Sequence, residues 1–206
     1  MRHPDIVLRS LLLTARNRDP RIFLVTLSLF ISELVEGMET EGYIVGPQCR
    51  SDSAGYQPTY HHVLPLLLHY LDHDDTFVDV GCGKGRVLWF VATRRRLRKA
   101  IGIEIEHELA QIARENIAKA RLRTPVTIIE EDASKADLSE GTVYYLYNPF
   151  GQETLRRFLK NIQRSLQTHP RDIRIVYLNP KPAQLLDEAI WLHREKCNGY
   201  LQVWRN

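Results

Sequence analysis

The sequence predicts an α/β fold: a doubly wound, mostly parallel seven-stranded sheet with an antiparallel C-terminal edge hairpin and an N-terminal helical extension. Three observations predict it. Apolar β-type runs alternate with helical segments from Thr76 to Asn179, as expected for parallel strands covered on both faces. The stretch "FVDVGCGKGRVLWF", Phe77 to Phe90, packs three glycines into five residues between a strand-like and a helix-like run. Near the C-terminus, Asn198-Gly199 between two β-type runs is a hairpin signal.

The elements follow in order. Ile6 to Arg16 reads as a first helix. "PRIFLVTLSLFISELVEG" reads as a second: Asp19 caps it, Pro20 fits its first turn, Gly37 ends it, and Leu24, Leu27, Ile31 and Leu34 fall near helical spacing. These helices carry no evident chemistry and are expected to cover the main domain. Glu41 to Tyr60, rich in glycine, proline and serine, reads as loop. A helix is expected from about Thr59 to Leu71, then "TFVDV" as a buried strand, "GRVLWFVATRRRL" as a helix and "KAIGIEI" as a second strand. "HELAQIARENIAKARL" is a helix, "PVTIIEED" and "TVYYLYN" are strands, "QETLRRFLKNIQRSL" is a helix and "IRIVYLN" is the fifth strand. "AIWLHREKCNGYLQVWRN" supplies the closing hairpin. The division expected is an extension and loop over residues 1–58 and the main domain over 59–206.

Bulk properties narrow the class. A length of 206 residues suits one compact domain with a small appendage. A net charge of +3 permits an acidic partner without arguing for one. Cys49, Cys82 and Cys197 have no metal-ligand spacing and form no disulfide framework, which points to a reducing compartment. The longest apolar run, Ile22 to Ile31, is too short to span a bilayer, and no small-residue cleavage pattern follows it. The expectation is a soluble, cytoplasmic protein with no membrane contact. The densest basic cluster, "TRRRLRK" from Thr93 to Lys99, ends the helix after the glycine turn, where cations suit the helix dipole. That end faces away from the predicted site, which argues against nucleic acid as its partner.

A strand–glycine turn–helix unit aims backbone N–H groups at a ligand beyond the carboxyl end of the strand. Gly81, Gly83 and Gly85 therefore predict a site for a nucleotide-like cofactor. The spacing is G-x-G-x-G, with Arg86 where dinucleotide binders place a third glycine. Asp79, two residues before the first glycine, would repel a pyrophosphate and favour a ligand with positive charge, such as an amino group or a sulfonium.

At these residues the sequence resembles the class I (seven-β-strand, Rossmann-like) S-adenosylmethionine-dependent methyltransferases, over about Thr76 to Asn179. "DVGCGKG" resembles their first motif, and the resemblance implies that Asp79, Gly81, Cys82, Gly83 and Gly85 surround the methionine part of S-adenosylmethionine. Glu104, 25 residues after Asp79, stands where the family grips both ribose hydroxyls; neighbouring Glu106 is the other candidate. "IIEEDA" places Asp132 at the adenine amino group and Ala133 beside the ring, with Glu130 and Glu131 as competitors for that place. Cys82 reads as a small filler, since nothing nearby supplies a base for it.

"YNPF", Tyr147 to Phe150, resembles the Asn/Asp-Pro-Pro-Tyr/Phe signature of amino methyltransferases with one proline missing. The resemblance implies that Asn148 borders the cofactor and accepts a hydrogen bond from the target nitrogen, and that Phe150 contacts the substrate, with Gly151 leaving room for its approach. "YQPTYHHV" is similar to a Tyr-Pro segment that closes over the cofactor in protein-lysine and related methyltransferases, which assigns that place to Tyr56 and Thr59. His61 and His62 are adjacent, so on a helix they diverge by about 100° and make a poor metal pair; no metal site is expected. Asn179-Pro180 borders the substrate entrance with no chemistry assigned. The expected function is methyl transfer to a nitrogen acceptor, with a protein lysine as the leading candidate and protein or small molecule favoured over nucleic acid. The alternatives are a non-catalytic cofactor-binding or partner-binding module and an NAD-dependent oxidoreductase.

Overall fold

The computed structural model describes residues 20–42, 52, 55–195 and 200–206. The expected helix from Ile6 to Arg16, the Asp19 cap, the Asn198-Gly199 turn, Cys49 and Cys197 lie outside the described residues. Helix α1 (Pro20–Val35) leads through Gly37, at φ 65°, to residues 38–42. The α/β body follows as α2 (Leu64–Leu67), a 3-10 turn (Leu68–Tyr70), β1 (Thr76–Val80), α3 (Arg86–Arg94), β2 (Lys99–Glu104), α4 (His107–Lys119), β3 (Val126–Glu130), β4 (Val143–Leu146), α5 (Gln152–Thr168), β5 (Arg174–Leu178), α6 (Ala183–Asp187), β6 (His193–Arg194) and β7 (Leu201–Arg205).

Among the described residues seven strands form one sheet in the order β3-β2-β1-β4-β5-β7-β6. The first five are parallel, and β7 runs antiparallel to both β5 and β6. Central strands β1 and β4 are buried along their whole length, as their near-continuous apolar sequences require. Alternation divides the core: Phe77 and Tyr145 point to one face with Trp89, Phe90 and Leu64, while Val78, Val80, Tyr144 and Leu146 point to the other with Phe158 and Trp204. Helix α5 covers that second face with Leu155, Phe158, Leu159 and Ile162, the i, i+3, i+4, i+7 stripe of an amphipathic helix. Leu29 of α1 and Met38 join the first face, so residues 20–42 share the core of the α/β body.

The expected helix over Thr59–Leu71 is shortened to Leu64–Tyr70, one α-helical turn continued by the 3-10 turn. Pro65 occupies the first turn of that helix, where its missing N–H costs nothing, and so sets the start. Helix α3 stops at Arg94 because Arg95 is extended and Leu97 donates its N–H to Thr124 Oγ1 at 2.8 Å. Arg94 folds back over the rings of Trp89 and Phe90, which places that part of the basic cluster at the C-terminal end of the helix. The short helix α6 adds an element to those expected from the sequence, and the described edge strand β6 is two residues long.

The strand order fixes where a ligand can sit. From β1 the chain winds outward through β2 and β3, then returns to the other side of β1 as β4. The crevice beyond the carboxyl ends of β1 and β4 is the switch point, where doubly wound sheets bind their ligands.

Candidate functional site

The glycine turn lies at that crevice. Gly81 and Cys82 both donate their N–H groups to Ile103 O, at 2.8 and 3.0 Å, which ties the turn to the end of β2. Gly81 and Gly83 have φ values of 72° and 53°, in the left-handed region that disfavours residues with a Cβ. Space is a second constraint. A Cβ on Gly81 would stand 2.5 Å from Cβ of Pro149, and one on Gly83 would enter the ring of Tyr56. The turn is thus packed between the turn after β4 on one side and Tyr56 on the other. Gly85 serves differently: it begins α3 and lets that helix approach Ala113 of α4, and it does not line the cavity.

A cavity of about 660 Å³ opens over the turn. That volume suits a nucleoside-sized ligand. Of the residues singled out in sequence, Asp79, Gly81, Cys82, Gly83, Glu104, Asp132, Ala133, Asn148, Phe150, Tyr56 and Thr59 all line it.

The three acids differ in what they already bond. Asp79 is buried, and its Oδ2 has no hydrogen-bond partner. Burial, with Glu104 nearby, pushes its carboxyl up to about 8, so the free site holds a proton there at neutral pH. A cation placed beside it would release that proton and satisfy the orphaned oxygen. This is the property expected of a seat for an ammonium group. Glu104 is held by backbone N–H groups: Oε1 accepts from Ile105 and Glu106 at 2.9 and 3.0 Å, and Oε2 from Gly83 at 2.8 Å. Burial raises its pKa and those donors pull it back, with a net rise. Oε2 keeps an acceptor site beyond its bond to Gly83. Asp132 accepts from the N–H and hydroxyl of Ser134 on Oδ1, at 2.9 and 2.7 Å. Burial pushes it up, but the Ser134 donors outweigh that and hold it below the ordinary range. Of the competitors, Glu130 is engaged outside by His107 and Arg114.

Arg86 explains why the third glycine of the dinucleotide pattern is absent. Its buried guanidinium pairs with Glu33 of α1 at 2.8 Å and with Glu41, and donates to Thr40 Oγ1 at 3.0 Å and Thr59 O at 3.1 Å. Tyr56 donates its hydroxyl to Thr40 O, and Thr59 Oγ1 lies 3.0 Å from the Tyr145 hydroxyl. One side chain therefore knits α1, residues 40–41 and the Tyr56–Thr59 wall to the first residue of α3. Burial pushes Glu33 up, but Arg86 and His61 reverse that and hold it below the carboxylate range. Glu33, Glu41 and His61 have ligand atoms close enough for a metal ion, yet Arg86 already stands against both carboxylates as their counter-ion. Sequence reasoning missed this cluster: Glu33 and Arg86 are 53 residues apart, and each alone reads as an ordinary charge.

At the acceptor end, Phe150 packs against Phe158 with ring centroids 5.8 Å apart. Asn148 has φ 45°, and its amide bonds to the loop after β5 rather than standing loose in the cavity. The space above Gly151 is filled by Asp52. Its backbone oxygen accepts from Gly151 N at 2.7 Å and its Oδ2 from Thr154 N at 2.8 Å, capping α5 from outside because Gly151 has no side chain to do so. The room expected there for substrate is thus room for Asp52. His62 stacks on Tyr60, while His61 turns inward to Glu33.

The fold, the switch-point cavity and the acid beside its glycine turn define a class I S-adenosylmethionine-dependent methyltransferase. Residues 79–190, more than half of the chain, match the ANTKMT methyltransferase domain, and the chain belongs to that family. It is similar to a protein-lysine N-methyltransferase of Saccharolobus islandicus, 32% identical over 94 residues, which are 45% of this chain and 58% of that protein. It is also similar to the ribosomal protein L11 methyltransferase of Thermotoga neapolitana, 27% identical over 122 residues, 59% of this chain and 44% of that protein. The chain thus spans about half the length of these curated relatives. Among solved structures, an RNA methyltransferase from Salinibacter ruber in complex with S-adenosyl-L-homocysteine superposes with a TM-score of 0.54 and 26% identity, covering 72% of this chain and 92% of that one. S-adenosylmethionine is the cofactor of this fold and family. Among the described residues no helix is long and apolar enough to cross a membrane.

Proposed function

We propose that the chain transfers a methyl group from S-adenosylmethionine to a nitrogen acceptor, with a protein lysine as the first candidate, in a reducing cytoplasmic setting. The observation that carries this reading is the turn Tyr147–Phe150, which closes β4 against Gly81 and opens onto the same cavity as the glycine turn. The partial similarity to an archaeal protein-lysine N-methyltransferase supports the choice of acceptor.

In this reading Asp79 takes the ammonium of the cofactor's amino-acid tail, Glu104 Oε2 a ribose hydroxyl, and Asp132 Oδ2 the adenine amine, with Ala133 beside the ring. Tyr56 and Thr59 form the covering wall. The bound cofactor supplies an electrophilic methyl on a sulfonium, so alignment provides much of the acceleration. Phe150, fixed against Phe158, offers a flat apolar surface to an alkylated amine. A lysine ammonium, with a reference pKa of about 10.4, sheds its proton more readily when desolvated in such a wall.

The test is incubation of the protein with methyl-tritiated S-adenosylmethionine and cell lysate, followed by acid hydrolysis of the protein fraction. The reading expects label in methylated lysine. Label confined to nucleic acid or to small molecules would sink the lysine assignment.

A further inference from the structure

We infer that Asn148 is a positioning residue whose amide joins the two Asn-Pro turns, after β4 and after β5, and so fixes where the acceptor stands over the cofactor turn. This rests on the nitrogen-transfer reading and gives the asparagine of that turn a different task from direct acceptance of the target N–H.

The amide is committed at both ends. Asn148 Nδ2 donates to Asn179 O at 3.0 Å, and Asn148 Oδ1 accepts from Lys181 N at 3.1 Å. One side chain thus engages a backbone acceptor and a backbone donor of the neighbouring turn. Exchanging its oxygen and nitrogen would set donor against donor and acceptor against acceptor, so the partners fix its orientation. Asn148 and Asn179 adopt nearly the same left-handed conformation, with φ 45° and 46°, which asparagine tolerates better than most residues with a side chain. The next residue, Pro149, lies on Gly81 of the cofactor turn, and Phe150 follows it. A mechanical path therefore runs from Asn179 through the Asn148 amide to Pro149 and Gly81. Asn179 and Lys181 do not line the cavity, and their side-chain link to a lining residue is the Asn148 amide.

The two roles make opposite demands. A direct acceptor needs only an oxygen at position 148, and aspartate supplies a stronger one. A latch needs a donor and an acceptor together; aspartate loses the donor and sets a negative oxygen against Asn179 O.

The experiment compares wild type with N148A, N148D, N179A and N179G. Three quantities are read: affinity for S-adenosylhomocysteine by calorimetry, methyl transfer to poly-L-lysine, and the backbone amide NMR signals of Gly81 and Phe150. The latch predicts that N148D loses as much transfer as N148A, with kcat down about ten-fold or more, since small misplacements of reacting groups are costly. Cofactor-product affinity stays within about two-fold, the loss being one of alignment. N179A, strained at its positive φ, shifts the Gly81 and Phe150 signals and lowers kcat likewise; N179G keeps the left-handed turn and restores both. N148D that keeps kcat where N148A loses it overturns the latch, as does N179A with unmoved Gly81 and Phe150 signals. If wild type does not methylate poly-L-lysine, the amine reading fails separately, and the Gly81 and Phe150 signals alone decide the latch.

Discussion

At the residue scale, the site depends on single groups whose bonding is incomplete or strained. Asp79 is the clearest case, a buried carboxyl with an orphaned oxygen and a pKa pushed up to about 8 by burial and Glu104. In the folded, ligand-free protein this carboxyl binds its proton more tightly than in the unfolded chain. The folded state therefore holds the extra proton between roughly pH 4, the ordinary carboxylate range, and about 8. Stability falls as pH rises through that window. Asp79→Asn is expected to remove this slope from denaturant unfolding measured at several pH values. The same linkage makes S-adenosylhomocysteine binding release a proton near neutrality, so affinity strengthens from pH 6 toward 8; calorimetry in buffers of different ionisation enthalpy reads the proton directly. At Gly83, alanine would meet both the positive φ and the Tyr56 ring. Gly83→Ala is expected to displace Tyr56 and weaken S-adenosylhomocysteine binding, visible as a smaller ligand-induced rise in Tm. The turn itself was legible in sequence because its conformation is local, with Gly81, Gly83 and Gly85 all at positive φ; that Gly85 packs against Ala113 instead of lining the cavity was not, because Ala113 lies on another helix. The bonding of Asn148 was not legible, because its partners lie on another strand's loop.

At the scale of elements, two long-range contacts hold the walls of the cavity. Arg86 binds α1 to the Tyr56–Thr59 wall through Glu33, Glu41, Thr40 and Thr59. Glu33→Ala leaves the guanidinium buried beside only part of its counter-charge, and a buried pair broken in this way costs about 3–5 kcal/mol. Urea unfolding would measure the loss, and a change below about 1 kcal/mol would show that water or Glu41 replaces the contact. Asp52 caps α5 across 102 residues of sequence. Asp52→Ala is expected to cost about 1 kcal/mol, as cap removals do, seen as a lowered urea midpoint with unchanged slope. Sequence periodicity placed α4 and α5, which carry an apolar stripe; α3 is buried on every side, and in α1 the residues that read as the stripe, Leu24, Ile31 and Leu34, are exposed while Thr26, Leu29 and Glu33 face inward. Periodicity could not place these two contacts, and it overextended the helix before β1, where Pro65 sets the start instead. Helix α1 read as inert cover, yet its buried Glu33 reaches the first residue after the glycine turn.

At the scale of the whole molecule, the order of strands carries the function. The return of the chain to the far side of β1 brings the β1 turn, the end of β2 and the β4 turn around one cavity, although their residues span positions 79 to 150. That arrangement was readable from alternating strands and helices with a glycine turn at the first junction, because parallel crossovers leave few topologies open. The bonding of the turn after β4 was not readable at the same level, since Asn148 meets the loop after β5 and Gly151 meets Asp52 across long stretches of sequence. The central claim is that this cavity takes S-adenosylmethionine with its amino group on Asp79. Calorimetric titration of S-adenosylhomocysteine into wild type and Asp79→Asn at pH 8 tests it most directly. Wild type is expected to bind, with a loss of about 2 kcal/mol or more, roughly thirty-fold or greater, in the variant. Equal affinity for both proteins, or no uptake by wild type, would contradict it.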